Sequence, residues 1–305
     1  MDPLTEIFSS MNIKRAIFDK IEMTAPWGFR STCSPDIKFA LVLNGSGVMK
    51  IQADKNLIPL SGGDVFIILD DSEFSISDKA GSKTIDCADF KKYKIGNIIQ
   101  FGGGGSLTTF VVGRFEISQP DAKPILDVLP KFLHLKLNKN RTHSFQSVLE
   151  LLALETEQPG LASESMINRF CEMLFIHAIR VHTNESPQGN NGWLAGLTDR
   201  QLGVGIRSIH DHLEKNWTVE SMAACAGMSR SAFAFKFKTI VGQSPLEYLT
   251  RWRMHKASAL IRQNHTNFSE ISHVVGYESE SAFTKAFKRE MGETPSKFRK
   301  RQSTK

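Results

Sequence analysis

Gly227-Met-Ser-Arg-Ser-Ala-Phe-Ala-Phe-Lys-Phe-Lys-Thr-Ile-Val-Gly-Gln-Ser-Pro245 and Gly276-Tyr-Glu-Ser-Glu-Ser-Ala-Phe-Thr-Lys-Ala-Phe-Lys-Arg-Glu-Met-Gly-Glu-Thr-Pro295 are two copies of one pattern. Phe233, Phe237, Gly242 and Pro245 return as Phe283, Phe287, Gly292 and Pro295, each 50 positions later. Two copies are too few for a stacked solenoid, so the unit is read by itself. A short helix, Val219 to Ala226, ends at Gly227. Ser229 stands where it can cap the next helix. That helix carries Phe233, Phe237 and Ile240 on one apolar face, at i, i+4 and i+7. Gly242 stops it, and Pro245 follows three residues on. The second copy runs His273-Val-Val-Gly276, then Ser279 as cap, then Phe283 and Phe287, then Gly292 and Pro295. Each unit reads as a helix-turn-helix.

The paired motif resembles the C-terminal DNA-binding domain of the AraC/XylS family of bacterial transcription regulators. The likeness covers residues 200 to 300. It includes the turn lengths, with five residues between Gly227 and Phe233 and six between Gly276 and Phe283. It also includes the ending Gly292-Glu-Thr-Pro-Ser-Lys-Phe-Arg299. The resemblance implies a transcription regulator, activating more often than repressing. It implies double-stranded promoter DNA, RNA polymerase, a small-molecule effector and a second copy of the chain as partners.

Charge agrees with that placement. The chain of 305 residues has net charge +6, unevenly spread. From Asp199 to Lys305, 18 lysines and arginines face 10 acids, against 20 and 22 in the rest. A basic domain attracts phosphate and gains affinity by releasing counterions. No run of ~18 apolar residues is present, so no membrane span is expected. The N-terminus lacks the pattern of a secretory signal. The four cysteines (33, 87, 171 and 225) form no paired metal or redox spacing. A reducing cytoplasm is the expected compartment.

The first helix of the DNA-binding region is expected near Val204 to Leu213. If Phe233, Phe237 and Ile240 are buried, Ser231, Phe235 and Lys238 face outward, with Ala234 at the edge. Phe235 suits apolar contact with thymine methyls. Lys236 and Lys238 suit phosphates, which set register without choosing sequence. The second copy presents Glu280, Ser281, Lys285 and Lys288, where Lys285 could read guanine and Glu280 a cytosine amine. Arg289, Arg299, Lys300 and Arg301 add backbone affinity. Leu246 to Arg262 reads as one connecting helix of ~25 Å at ~1.5 Å per residue. Such a strut would hold two recognition helices about one DNA turn apart.

The N-terminal half reads differently. Residues 2–11 form a short helix with Pro3 at its first position. Short apolar runs then alternate with turns: Lys38 to Leu43, Val48 to Ile51, Leu57 to Leu60, Asp64 to Leu69, Phe74 to Ser77, Thr84 to Phe90 and Thr108 to Val112. This spacing predicts a β-sandwich or barrel. The order, with Pro59-Leu-Ser-Gly-Gly-Asp64, resembles a cupin, the sensor half of many AraC-like proteins. No histidine precedes His134, so no histidine-based metal centre and no cofactor is expected there. Trp27, Phe29 and Phe39 are candidates to line a ligand pocket, beside the reading as plain core. Phe101-Gly-Gly-Gly-Gly-Ser106 lacks the Lys-Ser/Thr of a phosphate loop and reads as a mobile hairpin.

After Arg114 the pattern is helical. Ala122 to Leu133 is a short amphipathic segment. Ser144 to Glu157 and Glu164 to Val181 form a hairpin that, in regulators of this kind, commonly pairs subunits, beside the reading that it only packs on its own barrel. Asn184 to Gly192 is a polar linker, after which Trp193 and Leu194 can dock on either domain. The expected fold is α+β and multidomain. It has a cupin-like β-barrel (1–118), a helical hairpin for dimerisation (119–183), a linker (184–198) and an all-α domain with two helix-turn-helix motifs (199–305). Two other functions compete. One is a cupin enzyme fused to a DNA-binding tail. The other is a redox regulator using Cys33 and Cys87, with Cys225 expected in the core.

Overall fold

The computed structural model describes residues 3–10, 13–31, 37–52, 56–96, 98–117, 119–136, 145, 147–148, 150–152, 154–155, 158, 160–185, 192–263 and 267–303. Its contacts divide the chain into two units. One joins Met1–Met11, Pro120–Val128 and Ser186–Lys305; the other joins Asn12–Gln119 and Leu129–Glu185.

The second unit is a two-sheet sandwich. Its strands are β1 (Ile13–Thr24), β2 (Gly28–Ser31), β3 (Ile37–Asn44), β4 (Ser46–Ile51), β5 (Leu57–Ser61), β6 (Asp64–Ile68), β7 (Phe74–Ser77), β8 (Ile85–Asp86), β9 (Lys94–Ile95), β10 (Ile98–Gly102), β11 (Leu107–Ile117) and β12 (Phe132–Lys136). Seven strands run in the order β12-β6-β3-β11-β1-β10-β9, and five in the order β5-β4-β7-β2-β8. The strands thus form two mixed sheets and not a closed barrel, the sandwich of the two forms that the strand spacing predicts. Alternation along each strand sends one set of side chains between the sheets. Ile21, Met23, Ala40, Val42, Phe66, Ile68 and Phe110 meet Trp27, Phe29, Met49, Leu60, Phe74 and Ile76 there. Phe39 and Leu41 point to the opposite face of the larger sheet, where the Phe39 ring lies 5.6 Å from Phe18. The helix Ser163–Glu185 packs against β1 and β12 of this sheet and buries Cys171, Leu174, Phe175 and Ala178.

Two segments here differ from the sequence reading. Thr84 to Phe90 is not one strand. Only Ile85–Asp86 pairs, and a 3₁₀ turn over Cys87–Tyr93 follows because Asp86 caps it by accepting from the Ala88 N–H. Ala122 to Leu133 is not one helix. A helix over Gln119–Leu126 gives way to β12, whose alternating Leu133 and Leu135 are buried against β6. Of the first hairpin helix, the described residues from 145 to 155 are helical, and Leu149 and Ala153 lie outside the described residues.

The glycine run is no hairpin either. β10 lies parallel to β1 on one side and β11 antiparallel on the other, so the loop crosses the end of β1. Gly103 N–H donates to the Thr24 carbonyl (2.8 Å) and Gly105 N–H to that of Ala25 (2.8 Å). A side-chain carbon on Gly102, which has φ +134°, would stand 2.0 Å from the Thr24 carbonyl oxygen. The run serves close backbone approach.

In the other unit every helix of the repeat is closed by its own polar residues. Thr218 and Ser221 form a capping box before Val219–Cys225, and Ser229 accepts from Ala232 N–H before Arg230–Val241. Ser244 and Glu247 form a second box, with Pro245 opening the 18-residue connecting helix Pro245–Arg262. Asn267 and Ser279 cap Phe268–Val274 and Glu280–Met291. Gly242 (φ 82°) and Gly292 (φ 76°) end the longer helix of each motif in the left-handed region. The helix expected near Val204 runs Leu202–Asp211. The buried stripe of the first motif is Phe233, Phe237 and Val241; Ile240 is only half-buried.

The helical domain starts before residue 199. The expected linker (184–198) is helical at both ends: the helix Ser163–Glu185 takes in residues 184–185, and Trp193–Thr198 forms another helix, while 186–191 lie outside the described residues. Trp193 is buried with its ring 5.4 Å from Trp252, and its indole N–H donates to the Pro124 carbonyl at 2.9 Å.

A fragment of residues 192–305 should therefore be more stable than one of 199–305, by ~3 kcal/mol for the lost Trp, as read from urea unfolding. Gly102→Ala should cost ~1–3 kcal/mol. Gly160→Ala, which meets nothing within 4 Å, should stay within ~0.5 kcal/mol.

Candidate nucleic-acid interface

Each 12-residue helix, Arg230–Val241 and Glu280–Met291, buries two phenylalanines whose ring centroids lie 5.5 and 5.7 Å apart. At 100° per residue this aims a second face outward. In the first motif that face holds Ser231, Ala232, Phe235, Lys238 and Thr239, all exposed. In the second it holds Glu280, Ser281, Lys285, Lys288 and Arg289, also exposed. At the 50-residue offset, Ser231 matches Ser281, Lys238 matches Lys288, Phe235 matches Lys285 and Thr239 matches Arg289. The scaffold is shared, and the central and last positions of the face differ. Phe235 is 77% exposed. A lone exposed apolar side chain is ordinary on a protein surface, but this one sits mid-face between a serine and a lysine. Thr239 escaped the sequence reading because Ile240 stood in for Val241; rotating the stripe by one residue brings Thr239 into the face.

Two of the expected phosphate contacts are already engaged. Lys236 is half-buried and pairs with Asp199 at 2.8 Å. Asp199 also accepts from the N–H groups of Gln201 and Leu202, opening the helix Leu202–Asp211. Burial resists ionisation of Asp199, but Lys236 and those N–H groups outweigh it and hold the carboxyl below its usual range. A depressed carboxylate contributes stability above its unfolded value, here 3.8, and loses it only as pH falls further. The clamp is therefore intact at neutral pH. Lys236, expected as a phosphate contact, already has a carboxylate partner here and fastens this helix to the domain. Arg299 lies over the Phe268 ring at 3.8 Å. Arg289 and Arg301 touch Glu290 and Glu293 at 3.0 and 2.8 Å, in exposed pairs. Such pairs are worth ~0–1 kcal/mol, so both arginines can exchange a carboxylate for a phosphate. Ala234 is half-buried at the edge of its face.

In the sandwich, Trp27 and Phe29 face the space between the sheets, whereas Phe39 faces away and cannot share a pocket with them. The indole N–H of Trp27 is buried with no acceptor among the described residues. β12 brings His134 into the larger sheet, where its Nε2 lies 3.2 Å from Asp64 Oδ2. Asp64 also accepts from Ser61 N–H and Oγ, which explains the Gly-Asp turn. The described residues hold no group of three or more His, Cys, Asp or Glu able to hold a metal. Burial, and then Asp86, push the Cys87 thiol up to about 12; burial does the same to Cys171. Such thiols are poor thiolate sensors. Cys33 lies outside the described residues, and Cys225 is exposed, not in the core.

Lys285→Ala should relax sequence preference at one position of the second half-site, read by binding-site selection. Lys238→Ala should weaken all sequences alike and lower the salt slope by about 1. Lys236→Met should leave that slope unchanged, because its ammonium is spent on Asp199.

No described helix is long and apolar enough to cross a membrane. A cupin family model matches residues 2–184, and a helix-turn-helix domain model matches residues 222–301. An AraC-like transcription regulator of Streptomyces antibioticus is 30% identical over 301 residues, covering 98% of this chain and 99% of that one. The HTH-type transcriptional regulator AlkR of Acinetobacter baylyi is 28% identical over 305 residues, covering 98% and 99%. The solved DNA-binding domain of AdpA, in complex with a target DNA, is 29% identical, covers 33% of this chain and 91% of that chain, and has a TM-score of 0.32. With its cupin half, its paired motifs and a relative alike over nearly its whole length, the chain belongs to the AraC-like DNA-binding transcription regulators.

Proposed function

We propose that one copy of this protein reads two successive major grooves of promoter DNA. The reading rests on the two exposed helix faces at either side of one connecting helix. That helix has 18 residues, ~27 Å at ~1.5 Å each, which suits half-sites about one DNA turn apart. Ser231, Phe235, Lys238 and Thr239 contact the first half. Glu280, Ser281, Lys285, Lys288 and Arg289 contact the second. Phe235 favours a thymine methyl and Lys285 a guanine.

The sandwich serves as the sensor. The indole N–H of Trp27, buried and without an acceptor among the described residues, supports an effector that brings a hydrogen-bond acceptor. The helical hairpin pairs two copies. Leu151, Leu154, Leu161, Met166 and Met173 are all exposed along it, an unusual apolar run for a monomer. Activation through RNA polymerase follows the resemblance to the family.

Selection of binding sites from random duplexes with the full-length protein tests the main claim. The expected winner has two short halves ~10 bp apart, centre to centre. A single short motif would sink the two-groove reading. For pairing, Leu151→Glu with Leu154→Glu should convert a sedimenting dimer to a monomer; a wild-type monomer would remove the dimer.

A further inference from the structure

Arg253 sits mid-way along the connecting helix and is 9% exposed. Its Nε donates to the Leu213 carbonyl at 2.8 Å and its Nη2 to the Lys215 carbonyl at 2.7 Å. Both carbonyls lie in the loop that leads into the first motif. On its other side the guanidinium lies 5.6 Å from the Tyr277 ring. It also lies directly against Gly276. A side-chain carbon on Gly276, which has φ +79°, would stand 2.5 Å from Arg253 Nη2 and 2.6 Å from the Glu214 carbonyl oxygen. Gly276 and Tyr277 form the turn of the second motif. One planar, multi-donor group thus joins the entrance of the first motif to the turn of the second.

That junction bears on spacing. Moving a half-site by one base pair shifts it ~3.4 Å along the axis and rotates it by roughly 35°. Two loosely joined readers could follow such a shift; two rigidly joined ones cannot. We infer that Arg253 is a positioning residue that sets which half-site spacing this protein accepts, by locking the two motifs together without itself touching DNA. Gly276 is its counterpart, the one residue type that leaves room for the guanidinium in that turn. The inference rests on the two-groove reading above. No change in either exposed face is needed for it: a change at Arg253 alters the angle between two faces that are themselves intact.

The test uses full-length protein and the two-part duplex selected by the wild type. The halves are placed at the selected spacing and at one and two base pairs more or less. A further duplex carries one intact half. Wild type should bind the selected spacing sharply best. Arg253→Met, Arg253→Lys and Gly276→Ala should lose about tenfold at that spacing, as effective concentration falls with loose geometry. They should bind all spacings within about twofold of one another and keep the single-half affinity. A variant that keeps the wild-type spacing profile overturns the inference. So does parallel loss of two-part and single-half binding in all variants that fold by circular dichroism. Should Arg253→Met not fold, Arg253→Lys and Gly276→Ala decide. Selection that returns only one half overturns both this inference and the reading beneath it, whereas a two-part site with unchanged variant profiles overturns this inference alone.

Discussion

Three successive residues of the connecting helix, Arg251, Trp252 and Arg253, point about 100° apart and engage three different neighbours. Arg251 pairs with Asp127 at 2.6 Å. Trp252 meets Trp193 at 5.4 Å and His210 at 4.5 Å. Arg253 holds two backbone carbonyls and the turn of the second motif. The magnitudes rank them. An exposed ion pair is worth ~0–1 kcal/mol, whereas truncating a buried Trp costs ~3–5 kcal/mol. Stripping a buried carbonyl of its donor costs ~1–3 kcal/mol. Trp252 and Arg253 therefore hold the helical unit together, and Arg251 adds little. The helix also feeds two cores: Tyr248 and Trp252 pack toward the first motif, and Met254, Ala257 and Ile261 toward the second.

The two motifs separate stability from recognition. Caps, phenylalanines and terminal glycines recur because they solve the same folding problem twice. Each capped end satisfies N–H groups that a helix cannot pair itself. Each buried pair of rings anchors one helix in its domain. Recognition uses the remaining face, where packing imposes nothing. That is why Phe235 and Lys285 can differ while Phe233 and Phe283 match.

The sandwich follows another logic. Its interior is filled by aromatic and aliphatic side chains, and its polar groups are mostly tied into turns. Asp64 gathers Ser61 and His134 at one corner, holding β6 to β12. The glycine run lets one loop lie flat across the end of β1 so that parallel and antiparallel neighbours can share that strand. Cys87 and Cys171 are held as thiols by burial.

Local chemistry made much of the helical half legible. Ser229, Gly242, Ser244 and Gly292 act on their own helix ends, so their positions are readable from neighbours a few residues away. The family resemblance rests on the same residues. In the sandwich, periodicity located most strands but not their partners. It missed β12 because Phe132 to Lys136 becomes a strand only by pairing with β6. It put Phe39 beside Trp27 because the face a strand residue occupies depends on register, not on composition. The pairing of Lys236 with Asp199, 37 residues away, is invisible to a helical wheel. The sequence by itself thus determined the two capped helix-turn-helix units and the basic charge around them. Tertiary structure alone decided that Lys236 pairs with Asp199, which sheet face each aromatic joins and how the two motifs are locked. Those outcomes depend on contacts between residues far apart in the chain, which no local pattern encodes.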